Sequence, residues 1–299
     1  MSLSAYTFLN FLKKVYTNKS SGSVSSGFAY NAVCTLIAGI VILTWGGISG
    51  SSTFTIAMGA AFGVLTAVQG ITNLLAVQTG PLSYTTVIVT FSTVISALSG
   101  YMFFGEDLTW SHIVGMILML LSFVFATTKS KDEQKFNWRW LIYSLVAFLT
   151  TGMIGIMQKI HQSSAYKDQL NLFLIVAFVV SAILCGIFSI LLMKKEKREL
   201  ASKIEAEASS ETYKSSRGLK ILLLLIMIGS GICIAANNKL NLYLSGVVDS
   251  AVFFPLVNGG GLIMTTVMAF IVFREKFTKK QWCGLILGIL SVFFLCNPF

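Results

Sequence analysis

The sequence predicts an all-α polytopic membrane protein. It has nine full transmembrane helices and a short N-terminal (first) helix, arranged as two inverted five-helix repeats. Three observations carry this. Only 11% of the 299 residues are charged and 55% are apolar, whereas a soluble domain carries about 25% charged residues. Apolar runs of roughly 20 residues, each long enough for a hydrocarbon core of about 30 Å, recur from end to end. And stretches of the second half repeat stretches of the first. A membrane β-barrel would instead show shorter segments of strict alternation.

Taken in order, the first apolar stretch covers residues 3–12. It spans about 15 Å at 1.5 Å per residue, which predicts half a helix or a re-entrant piece. Full spans follow at 28–47, 54–77, 84–104, 111–128, 138–158, 170–193, 219–244, 251–273 and 281–295. Residues 194–218 form the longest polar segment. Their mixed charges at helical spacing predict a solvated extension of the preceding span, then a Ser-rich cytosolic linker.

The repeat is read directly. FFGEDLTWSHIVGMILMLLSFV (103–124) aligns with VFREKFTKKQWCGLILGILSVF (272–293). This pairs Glu106 with Glu275, Thr109 with Thr278, Gly115 with Gly284 and Ser122 with Ser291. GVLTAVQGITNL (63–74) aligns with GICIAANNKLNL (231–242), and Lys14 and Phe28 align with Lys159 and Phe173. The two units are 1–130 and 131–299. Five helices per unit, an odd number, force opposite orientations, the architecture of secondary transporters.

Charge gives the orientation. Nineteen of the 22 Lys and Arg lie in segments on one face: around the first helix end, at 129–139, at 194–220 and at 274–280. The positive-inside bias places that face in the cytosol and the C-terminus outside. The net charge of +10 is therefore topological, and nucleic acid is not expected as a partner. The five cysteines, Cys34, Cys185, Cys233, Cys283 and Cys296, match no metal or redox spacing and read as apolar packers.

The motif Glu106-Asp107-Leu108-Thr109…Gly115, repeated as Glu275-Lys276-Phe277-Thr278…Gly284, resembles the EamA-like transporters of the drug/metabolite transporter superfamily. The resemblance covers nearly the whole chain. It implies ten helices around a central cavity, with export or exchange of metabolites, amino acids or drugs without ATP. The chain departs from the family in its short first helix and in the outward C-terminus that its charges predict.

The interior offers amides and hydroxyls. Gln69 and Asn73 stand four apart and share a helix face, and their repeat partners Asn237 and Asn241 do the same. Such a pair at equivalent places of inverted units fits a binding site on a pseudo-two-fold axis; the alternative is interhelical hydrogen bonding. Tyr84 opens a hydroxyl-rich helix, and Gln158 lies beside Lys159 and His161 at a helix end. Asn258 stands mid-span before Gly259-Gly260-Gly261, a run that permits close approach of backbone or ligand. Gln69, Asn73, Tyr84, Gln158, Asn237, Asn241 and Asn258 are the candidate substrate-binding residues. Lys159 and Lys239 are expected to snorkel to the interface. The GxxxG pairs Gly59…Gly63 and Gly284…Gly288 predict close helix packing.

All twelve carboxylates fall in loops or at helix ends, so no buried proton carrier is expected. No P-loop, HExxH or CxxC is present, so an enzyme, a metal site and a cofactor are not expected. The expected partners are a small-molecule substrate and the lipid bilayer, with a homodimer left open. The expected activity is movement of a small polar metabolite or amino acid across the membrane of a cell, a bacterial inner membrane being the nearest fit. A multidrug exporter, or a non-transporting scaffold or sensor, are the alternatives.

Overall fold

The computed structural model describes residues 2–19, 23–79, 82–126, 137–204, 217–273 and 278–296. Ten α-helices account for nearly all of them. They are α1 (Ser2–Lys19), α2 (Val24–Gly46), α3 (Thr53–Thr79), α4 (Leu82–Phe104), α5 (Trp110–Ala126), α6 (Trp138–Gln162), α7 (Leu170–Ile204), α8 (Arg217–Ser245), α9 (Ser250–Phe273) and α10 (Lys279–Cys296). Seven of them meet length and hydropathy requirements for crossing a membrane, and Trp110–Phe125 is a shorter apolar helix. The chain is a multi-pass membrane protein.

Residues 3–12 do not form a half-helix. The helix continues through Lys19 and reaches about 27 Å over its 18 residues. Its charged and amide residues hid it: Lys13, Lys14 and Asn18 break the apolar run but not the hydrogen-bond ladder. The polar extension after residue 193 is helical as expected, since α7 runs to Ile204. The Ser-rich linker lies outside the described residues.

Helix starts follow local chemistry. Ser23 caps α2 by accepting from the Ser26 N–H at 3.2 Å, and Ser52 accepts from the Thr55 N–H at 3.1 Å at the start of α3. Thr278 and Gln281 form a capping box at α10. The Gln281 side chain accepts from the Thr278 N–H at 2.9 Å, and the Gln281 N–H returns to Thr278 Oγ1 at 3.4 Å. The repeated Glu-x-x-Thr motif therefore ends in a helix cap.

The helices pack as α2 on α7, α4 on α9 and α5 on α10, with α1 on α8 and α9, and α3 on α6 and α7. The main crossings between helices that are not repeat partners come in matched pairs: α1–α8 answers α3–α6, α2–α8 answers α3–α7, and α1–α9 answers α4–α6, while the lesser α5–α9, α6–α8 and α7–α8 contacts have no counterpart as extended. Glycines allow the closest crossings. A Cβ on Gly59 would stand 2.7 Å from the Phe173 carbonyl oxygen, and one on Gly63 would stand 2.5 Å from that of Ala177. Gly284 and Gly288 likewise meet α5 and α9. Both GxxxG pairs thus pack helices as expected.

Exposed aromatic residues gather near helix ends. Trp45, Tyr101, Trp110 and Tyr243 mark one end, and Trp138 and Trp282 the other, basic one. This is the distribution of interfacial aromatic belts.

Candidate functional site

Asn237 and Asn241 project from one face of α8 because they are four residues apart. Both meet α1. The Ser2 hydroxyl lies 3.0 Å from Asn237 Oδ1 and 2.5 Å from Asn241 Oδ1, and a single hydroxyl proton is shared between them. The helices are antiparallel: Ser2 sits at Asn237 and Asn241, while Leu12 packs on Gly229. Asn238, on another face, returns its amide to the Ile234 carbonyl of its own helix at 2.9 Å.

A second polar crossing joins α4 and α9. Asn258 Nδ2 donates to Thr93 Oγ1 at 3.0 Å. Thr93 and Pro255 border a small hollow that is otherwise apolar, with Met116, Met119 and Phe123 among its walls. The glycines after Asn258 serve packing rather than open a ligand approach. Gly259 receives Met119 of α5, and Gly261 receives the ring of Tyr6 from α1. A Cβ at either place would force the facing side chain to move.

The remaining amides are differently placed. Gln69 and Asn73 are half-buried on α3, and Gln158 is buried on α6. Among the described residues none of these three side chains makes a hydrogen bond. The helices α3 and α8 share no extended interface, so the two amide pairs are not brought into contact. Asn31 of α2, which sequence reasoning passed over, faces α3 beside them: its Nδ2 is 3.9 Å from where a Cβ on Gly70 would stand. The Tyr84 side chain lies outside the described residues.

The lysines depart from expectation. Lys159 does not reach out to the interface. It is buried, pairs with Glu106, and donates to the Val248 carbonyl at 3.2 Å. Glu106 is in a loop, as the sequence indicates, yet its side chain is only 9% exposed. So the expectation that no carboxylate is buried is corrected: the loop folds the side chain inward. Lys239 is half-buried, with its amine against Gly46 at the end of α2. That is a helix C-terminus, whose unpaired carbonyls favour a cation. Of the cysteines, Cys34 and Cys185 are buried, Cys233 is partly so, and Cys283 and Cys296 are exposed.

The helix arrangement defines a multi-helix membrane protein with polar groups turned into the bundle. The model of the EamA-like transporter family matches residues 12–128 and again 138–297. The chain belongs to the EamA-like transporter family, within the drug/metabolite transporter superfamily. No curated protein matches the chain. Among solved structures, one titled only as the crystal structure of a protein is similar with a TM-score of 0.75 over 98% of this chain and 94% of that one. At 12% identity it shows the fold alone.

Proposed function

We propose that the chain is a secondary transporter that moves a small polar metabolite or amino acid by alternating access of two inverted halves, 1–130 and 131–299. One observation carries the reading. Gln69, Asn73 and Gln158, half-buried or buried on membrane-spanning helices, make no hydrogen bond to protein among the described residues. An unpaired amide away from water costs roughly 1–3 kcal/mol, so water or a polar ligand must meet these groups. Asn237 and Asn241 complete the lining from α8, and Asn258 from α9, once Ser2 and Thr93 release them.

The paired packing of the helices supports the inverted arrangement. In this reading α2 to α10 cross the bilayer fully, the basic end faces the cytosol, and the end bearing Glu106 and Lys159 faces outward, in a bacterial inner membrane. The protein catalyses no covalent change.

A thermal-shift screen of the purified protein with amino acids, nucleosides and sugar phosphates tests the reading. A stabilising ligand should lose at least tenfold in affinity on Gln69→Ala or Asn237→Ala, and the parent should carry it across proteoliposome membranes. A ligand bound equally by the parent and both variants would sink the site.

A further inference from the structure

At the helix ends opposite the basic face, one buried cluster ties the loop between α4 and α5 to α6 and to the turn between α8 and α9. Glu106 belongs to the loop between α4 and α5. Its N–H bonds the Gly100 carbonyl at 3.2 Å, which turns the chain back. Its carboxylate then lies directly on the α-carbon of Gly100, where any side chain would collide with it. One carboxylate oxygen accepts from the N–H of Ser250, the first residue of α9, at 2.6 Å. The other pairs with the Lys159 ammonium near the end of α6. Lys159 also holds the Val248 carbonyl in the turn between α8 and α9. Gln162, one turn further along α6, packs against Gly246 in the same turn.

The cluster therefore fastens the first family-matched segment, through Glu106, to the second, through Lys159, Val248 and Ser250. Each charge is compensated two ways, by its opposite and by a backbone group: Lys159 by the Val248 carbonyl, and Glu106 by the Ser250 N–H at the start of α9, where the dipole favours an anion. Both side chains are 9% exposed. Neither ion can leave the other and stay dry, because an isolated buried charge is strongly disfavoured. Both can part if water enters. The pair thus has two acceptable states, dry and joined or wet and separate, and no acceptable state between. That is the behaviour of a closure.

We propose that Glu106 and Lys159 form the outer closure of the transport pathway: joined, they hold α4, α6 and α9 together at the outer mouth, and they separate when the pathway opens outward. This rests on the transporter reading above. Asp107 and Asp249, the exposed carboxylates adjoining the cluster, take no part.

The test uses full-length protein with its five cysteines replaced and a reporter cysteine at Gln158, labelled in oriented membrane vesicles by a membrane-impermeant thiol reagent. Glu106→Gln and Lys159→Gln should each raise the labelling rate from the outer side at least fivefold, and the double variant no further. Asp107→Asn and Lys159→Arg should label at the parental rate, the second because it keeps the cation. Melting temperatures of the same samples identify any variant that fails to fold, and Lys159→Arg compared with Lys159→Gln then decides. Unchanged outer labelling in the Gln variants overturns the closure, as does fast labelling of Lys159→Arg. If the reporter is reached from neither side in any variant, the transporter reading fails and the closure with it. If it is reached from the inner side only, whatever the variant, the closure alone is wrong.

Discussion

Ser122 Oγ donates to the Gly284 carbonyl at 2.6 Å, and the repeat partners exchange roles a short way along the same crossing: Ser291 Oγ donates to the Gly115 carbonyl at 2.7 Å. Moving back along α5 from one bond to the other moves forward along α10 by the same number of residues, so the helices are antiparallel. Each glycine gives its serine access to a backbone oxygen that a side chain would cover. Ser122→Ala and Ser291→Ala should each cost about 0.6 kcal/mol, the average for a membrane side-chain hydrogen bond. The two losses should be equal within error in thermal unfolding followed by tryptophan fluorescence. Gly115→Ala should cost more, because its Cβ would meet Leu295 at 2.7 Å.

Glycines can be sorted by what they face. Gly63→Ala should lower the melting temperature by several degrees, since its methyl has 2.5 Å to a backbone oxygen and 2.9 Å to Val180. Gly186, in α7, has nothing within 4 Å. Gly186→Ala should be neutral or stabilise by up to about 1 kcal/mol, the helix-propensity difference. Differential scanning fluorimetry on the two variants in one detergent separates these outcomes.

Tyr30 and Ser230 join α2 to α8 through a 2.6 Å bond, and Ser230 passes it on to the Ile226 carbonyl at 2.8 Å. A double-mutant cycle of Tyr30→Phe and Ser230→Ala should give a coupling of about 0.5–1.5 kcal/mol. Because neither residue belongs to the proposed substrate site, transport by the folded variants should change less than twofold in a proteoliposome flux assay.

Asn258 and Thr93 make a contrasting pair, since the transporter reading needs their bond to open. Thr93→Val should leave the Asn258 amide unpaired and lower stability by about 1–3 kcal/mol. Asn258→Ala should reduce flux at least tenfold with a smaller loss of stability. Flux measured beside the melting temperature of each variant checks the ordering.

Much of the fold is legible in the sequence because a membrane demands one thing locally. A membrane span must be apolar along its length, so the helices α2 through α10 appear as apolar runs, and their limits differ from those read off the sequence by only a few residues except where α7 continues into its polar extension. The same locality hides the rest. Lys13 and Lys14 obscure α1, since a helix at the edge of the bundle can continue past residues that a hydropathy run cannot. Glu106 reads as a loop carboxylate; only the return of the chain onto Gly100 buries it. The Ser2 contact joins residues far apart in sequence, and no spacing rule announces it. Gln69 and Asn73 are legible as a pair because they share a helix face, but that their amides stay unpaired depends on what the neighbouring helices present.

The last consequence concerns α7. Its apolar stretch runs from Leu170 to Met193, about 36 Å along the axis. It then meets Lys194, Lys195, Glu196, Lys197 and Arg198 in succession. Lys194, Lys195 and Arg198 are exposed there, and successive helix residues step around the axis by about 100°, so the stretch cannot sink into hydrocarbon by rotating. Glu196 is moreover clamped to the start of α2 by the Ser25 hydroxyl at 2.6 Å, so the two helices share one level. The molecule therefore carries its own waterline: a thinner bilayer must bulge or tilt to meet it, and the helices held to α7 must follow.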